Sequence, residues 1–253
     1  MAPKTPLLRC LKPRPDARIR LYCIPHAGGG ASAFRTWQDG LPSIVEVQAI
    51  QLPGRENRLM ETPYSDAREI AAVLADVIAP DLDRTYAIFG HSMGALVGFE
   101  LLRELRERKA PAAGHFFPSA FRAPQATNPD PAIHELPDME FLNELNRRYD
   151  AVPAAALESE ELLELILPGI RADTTVCDAY EYREAEPLDC PITALGGESD
   201  PIVKRELLGA WSEQTSASSE LQLFPGDHFY LQPGQDALLK LISARLLELT
   251  QPK

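Results

Sequence analysis

The sequence predicts an α/β fold, with a mostly parallel central sheet, helices on both faces and a helical segment inserted between two strands. Three features point there. Short β-type runs recur along the chain with helical patterns between them, the alternation that parallel strands joined by helical crossovers require. At 253 residues and 45% apolar the chain can bury one substantial core, so a single domain over residues 1–253 is the expected organisation. One long stretch past the middle of the chain carries no strand signal.

In chain order, the first β-type run is Ile19 to Ile24 and the second is Val45 to Ile50. Asp66 with Glu69 supplies an N-terminal cap for a helix through Ile78. The run Tyr86 to Phe89 follows, and then Val97, Leu101 and Leu105 mark one face of a helix that begins just after Ser92. Further β-type runs are His115 to Pro118, Ile192 to Leu195 and Leu221 to Phe224, and a last helix follows Asp236 and runs into Leu247.

Between Pro118 and Ile192 the rhythm breaks. A Pro-rich part (Pro124, Pro129, Pro131, Pro137) precedes two amphipathic patterns, Met139 to Tyr149 and Glu160 to Leu167. A structureless loop of that length is anomalous in a compact domain, so a helical lid inserted at about residues 125–187 is the better reading than a solvated appendage. Its apolar residues Val152, Leu157, Ile166, Leu167 and Ile170 need a partner.

The 25 basic and 37 acidic side chains leave a formal charge of −12, which argues against a general nucleic-acid or anionic-membrane binder. No uncharged apolar run approaches the roughly 20 residues a bilayer crossing needs, and Met1 to Arg20 lacks the apolar stretch of a signal peptide. A cytoplasmic protein is expected. Cys10, Cys23, Cys177 and Cys190 form no C-x-x-C pair and read as reduced thiols used as small apolar fillers.

The strongest chemical signal is Gly90-His91-Ser92-Met93-Gly94, a G-x-S-x-G set between a strand and an amphipathic helix. A serine on such a sharp turn projects above the sheet edge, and the helix N-terminus behind it favours an oxyanion. Of the five histidines, His228 follows the last strand through Pro225-Gly226-Asp227, where this architecture delivers a base; His26 and His91 lie beside the loop and nucleophile, His115 starts a strand and His134 falls in the insertion. Asp200, after Ile192 to Leu195, is the best candidate to orient the imidazole, ahead of Glu198 and Asp227. The order Ser92, Asp200, His228 is that of α/β-hydrolases.

Gly28-Gly29-Gly30-Ala31-Ser32-Ala33 also fits a G-x-G-x-x-A dinucleotide fingerprint, but the second strand ends Ala49-Ile50-Gln51-Leu52-Pro53 without the acid that would hold a ribose. In a hydrolase these glycines form a loop supplying an oxyanion-hole N–H from Ala27, to pair with that of Met93.

Four blocks resemble the type II thioesterases that accompany polyketide synthases and nonribosomal peptide synthetases: Pro25-His26-Ala27-Gly28-Gly29, Leu52-Pro53-Gly54-Arg55-Glu56-Asn57-Arg58, Gly90-His91-Ser92-Met93-Gly94-Ala95 and Gly226-Asp227-His228-Phe229. The second is the most discriminating, and the pattern is shared with the medium-chain acyl thioesterases of animal fatty acid synthesis. The resemblance implies an editing hydrolase that frees stalled acyl groups from the phosphopantetheine arm of an acyl or peptidyl carrier protein. It also implies a helical lid, a triad of Ser92, Asp200 and His228, and an oxyanion hole at Ala27 and Met93. Arg55 and Arg58 are expected to serve in salt bridges, with Glu56 or Glu61, or in substrate contact. Arg147 and Arg148 are candidates for a local carrier-docking patch. A monomer without cofactor or metal is expected. The alternatives left open are a carboxylesterase or lipase for small oxoesters and an inactive hydrolase-like binding protein.

Overall fold

A computed structural model describes residues 6–149 and 159–250. Seven strands form one sheet in the order β1-β3-β2-β4-β5-β6-β7, where β1 is Leu8–Arg9, β2 Ile19–Ile24, β3 Val45–Ile50, β4 Thr85–His91, β5 His115–Ser119, β6 Ile192–Gly197 and β7 Ser219–Phe224. All neighbours run parallel except β1, which pairs antiparallel with β3 at the edge. At two residues β1 is too short to show a period, and it is the one strand the sequence reading missed.

The helices are α1 (Trp37–Gly40), α2 (Ala67–Ile78), α3 (Met93–Glu107), α4 (Asp138–Tyr149), α5 (Glu160–Asp178), α6 (Arg205–Gly209) and α7 (Gln235–Glu248). Asp66 caps α2 as expected, its carboxylate accepting from the N–H groups of Arg68 and Glu69. Alternation along each strand sorts the core into two layers. Tyr22, Ile24, Tyr86, Ile88 and Phe116 face α2 and α3, while Leu21, Cys23, Ala87, Phe89 and Phe117 face α1 and α7.

Among the described residues no strand lies between β5 and β6. The pattern expected to stop at Leu167 continues as α5 to Asp178, with Pro168 inside the helix. A Pro-Gly pair ordinarily breaks a helix. Here Asp173 and Val176, beyond the proline, are buried against the body, so tertiary packing overrides the local signal. Ile166, Leu167 and Ile170 pack on a small separate cluster of Ile133, Phe141, Leu142 and Leu145, which is the partner they needed. Val152 and Leu157 lie outside the described residues.

All four cysteines are free, with Cys23 and Cys190 buried. No described helix is long and apolar enough to cross a membrane.

Candidate active site

Parallel register brings the carboxyl ends of the central strands level: Gly90 stands between Ile24 and Pro118, and Gly197 opposite Phe224. The loops leaving those ends therefore meet, which is where open α/β sheets gather their sites.

Ser92 sits between β4 and α3 at φ 53°, ψ −121°, a conformation L-residues rarely adopt. The flanking glycines make the turn sterically possible. A Cβ on Gly90 would lie 2.0 Å from the carbonyl oxygen of Gly94, and one on Gly94 would lie 2.2 Å from that of Ile24. Ser92 is tied to the neighbouring strand by its own N–H, which donates to Ser119 O at 2.8 Å.

His228 Nε2 stands 3.1 Å from Ser92 Oγ, and His228 Nδ1 is 2.9 Å from Asp200 Oδ2. The other carboxylate oxygen, Oδ1, accepts from the N–H groups of Ile202 and Val203. Burial alone would raise the Asp200 pKa, but the His228 bond and those two backbone donors outweigh it and hold the carboxyl below its ordinary value. Neither rival acid reaches the imidazole. Glu198 is exposed, and Asp227 turns away to accept from Phe229 N–H at 2.8 Å.

The wall behind His228 is histidine and aromatic. His91 lies 5.4 Å from it, centroid to centroid, and is fully buried, with Nδ1 on Ser119 Oγ, which in turn bonds Tyr230 OH. His26 packs edge-on against Phe229. From the insertion, Tyr149 sets its ring 5.3 Å from that of His228, a contact no sequence signal suggested. His115 bonds Thr193 on the sheet and His134 meets Asp178 on α5, so neither reaches Ser92.

Three of these histidines are kept uncharged. Burial above all, with Arg55 near His26 and Arg245 near His115 adding to it, pushes His26 and His115 down to about 4, and burial holds His91 well below its usual value. An unfolded chain protonates each near its ordinary pKa of ~6.5. Between those limits the unfolded state binds more protons, so stability is unpenalised above about pH 6.5 and is lost as pH falls towards 4. Urea midpoints measured at about pH 7.5, 6 and 5 should decline in that order, and a flat series would refute this assignment.

Ala27 lines the cavity beside Ser92, and Met93 heads α3. The Gly28-Gly29 turn that follows Ala27 is held from two other segments. Gly28 N–H donates to Asp173 Oδ2 at 2.6 Å, and Gly29 O accepts from Arg55 Nη1 at 3.1 Å. Arg55 and Asp173 form a bidentate pair at 2.8 and 2.7 Å with side chains only 5% and 1% exposed. The expected partner for Arg55, Glu56, is engaged instead by the N–H and hydroxyl of Ser32. Arg55 and Asp173 are 118 residues apart, and nothing local in the sequence announces that contact. Arg58 does pair with Glu61. Arg147 is exposed, but the Arg148 side chain is 6% exposed, bonded to Glu144 and to Pro131 O, so the two do not form the surface patch expected of them.

A cavity of about 690 Å³ lies between the insertion and the sheet edge, with Ser92, His228 and Phe229 on one side and Tyr149, Ile166 and Ile170 on the other. That size suits a small organic ligand. Cys177 also lines it, but burial pushes its thiol up to about 12, which removes it as a rival nucleophile.

A family model described as "Thioesterase domain" matches residues 19–246. Gramicidin S biosynthesis protein GrsT of Aneurinibacillus migulanus is 41% identical over 237 residues, covering 94% of this chain and 92% of its own length. The structure of the type II thioesterase BorB from the borrelidin biosynthetic cluster superposes with a TM-score of 0.84 at 37% identity, over 95% of this chain and 97% of that one. YbtT, a type II thioesterase from the yersiniabactin NRPS/PKS pathway, gives a TM-score of 0.87 at 28% identity, over 97% of this chain and 100% of its own.

Proposed function

The chain belongs to the thioesterase domain family, and from that membership we propose that it hydrolyses acyl groups from the phosphopantetheine arms of carrier proteins through an acyl-enzyme on Ser92. The observation that carries the assignment of roles is the continuous hydrogen-bonded line from Asp200 through His228 to Ser92 at the floor of the cavity.

The chemistry runs in two halves. Ser92 Oγ attacks the thioester carbonyl carbon while His228 Nε2 takes its proton, and Asp200 steadies the imidazolium through Nδ1–H. The oxyanion is received by the N–H groups of Ala27 and Met93, the second reinforced by the α3 N-terminus. Collapse breaks the C–S bond, and His228 returns the proton to the departing thiolate. Water then attacks the acyl ester, gives its proton to His228, and the acid leaves as Ser92 regains its hydrogen.

Residues of about 125–187 act as a lid, and their apolar contribution to the cavity suits an acyl chain rather than a polar one. One chain supplies every residue invoked, so a monomer suffices. Similarity to BorB, YbtT and GrsT supports a stand-alone editing role beside a carrier-dependent polyketide or nonribosomal peptide synthase in the cytoplasm.

The test is hydrolysis of one acyl group presented on a carrier protein, on coenzyme A and as a simple oxoester. The carrier form should show the highest kcat/KM. If the oxoester is turned over best, the protein is an esterase acting on small oxoesters.

A further inference from the structure

We propose that Arg55 and Asp173 form a positioning pair that sets the oxyanion-binding N–H of Ala27 and makes it depend on α5 being seated over the site. This rests on the roles given above to Ser92 and Ala27, and the two can fail separately.

The turn after Ala27 carries little support of its own. Gly29 N–H bonds back to His26 O, but the outward-facing Gly28 N–H and Gly29 C=O are both met by side chains of the pair. Arg55 has no spare reach, because Nε is committed to Pro53 O and Nη1 and Nη2 to Gly29 and Asp173. Both oxygens of Asp173 are likewise taken, Oδ1 by Arg55 and Oδ2 by Arg55 and Gly28. The guanidinium fork thus fixes the carboxylate at the angle that receives the loop.

Asp173 belongs to the insertion, whereas Arg55 and Gly28 belong to loops of the body. On the same helix Gly169 passes so close that an added Cβ would meet Gly54 O at 2.6 Å, and Ile170 lies against Gly28. Positions 169, 170 and 173 share one helical face, so α5 rests on both loops at once. Displacing α5 removes the acceptor of Gly28 N–H and leaves two buried charges apart. Oxyanion donors act through prior placement, so a loosened loop weakens the transition state more than substrate binding. The enzyme therefore turns over thioester fastest with α5 seated on these two loops.

The decisive variant replaces both partners, Arg55→Met with Asp173→Leu. Single replacements orphan a buried charge and lose stability along with activity, whereas the double replacement leaves no unpaired charge, frees the loop's Gly28 N–H and Gly29 C=O, and should recover much of the stability. Thermal midpoints, kcat and KM on an acyl-coenzyme A, and the inhibition constant of an alkyl trifluoromethyl ketone are measured together. We expect the double variant to keep a kcat about 10- to 100-fold below wild type, with KM within about threefold and ketone affinity falling in step with kcat. Arg55→Lys, which keeps the charge and loses the fork, should fold and lose about fivefold or more in kcat, and it decides the matter if the double variant does not fold. Wild-type kcat in whichever of these variants folds would overturn the positioning role. Turnover surviving in Ser92→Ala would overturn the underlying reading and this proposal with it.

Discussion

Replacing Ser92 by alanine should lower kcat by about 10⁵- to 10⁶-fold while leaving a folded protein, as expected when the nucleophile of a unit acting together is removed. The hydroxyl makes one contact that matters, to His228 Nε2, and the backbone turn is fixed instead by Ser92 N–H on Ser119 O and by the clearance at Gly90 and Gly94. Neither depends on the side chain. Intact-mass measurement after exposure to a serine-directed fluorophosphonate should show one adduct on wild type and none on the variant. An adduct on another peptide, with Ser92 unmodified, would displace the assignment.

Asp200→Asn should cost about 10⁴-fold in kcat with little effect on secondary structure. Oδ1 is occupied by the N–H groups of Ile202 and Val203, so an asparagine keeps its oxygen there and turns its amide towards His228. Two donors then face one another, or the ring adopts the tautomer that cannot accept from serine. Asp227→Asn and Glu198→Gln, made in parallel, should stay within about threefold of wild type, because neither carboxylate touches the imidazole. Steady-state kinetics on a single thioester separates the three, and a severe loss in either of the last two would reassign the acid.

Much of this was legible in the residues alone. The parallel strands announced themselves because a sheet buried on two faces needs β-type runs of a fixed short length, and the G-x-S-x-G turn because only glycine tolerates the clearances at 90 and 94. Asp200 and His228 followed from chain order, since each strand end delivers its loop to one edge. What escaped had no local signature. Tyr149 reaches His228 from an inserted helix, and Asp173 finds Arg55 across 118 residues. The end of α5 was misjudged because Pro168 is a strong local stop that packing against the body overrides. Arg148 read as a surface charge, yet its side chain is covered: helix period sets Glu144 one turn away, but the bond to Pro131 O, 17 residues back along the chain, has no local signal.

The two-layered core also carries a lesson about synthesis. Leu238, Leu239, Ile242 and Leu246 of α7 cover Ile19, Leu21, Val45 and Trp37, residues made some two hundred positions earlier. Until α7 leaves the ribosome, that side of the nascent sheet has only the short α1 region over it and is otherwise an adhesive apolar plane of the kind chaperones and proteases recognise. His228 emerges only just ahead of it. The chain thus gains His228 and the cover of α7 almost together, and a product terminated before them would be a substrate for quality control rather than a stray hydrolase.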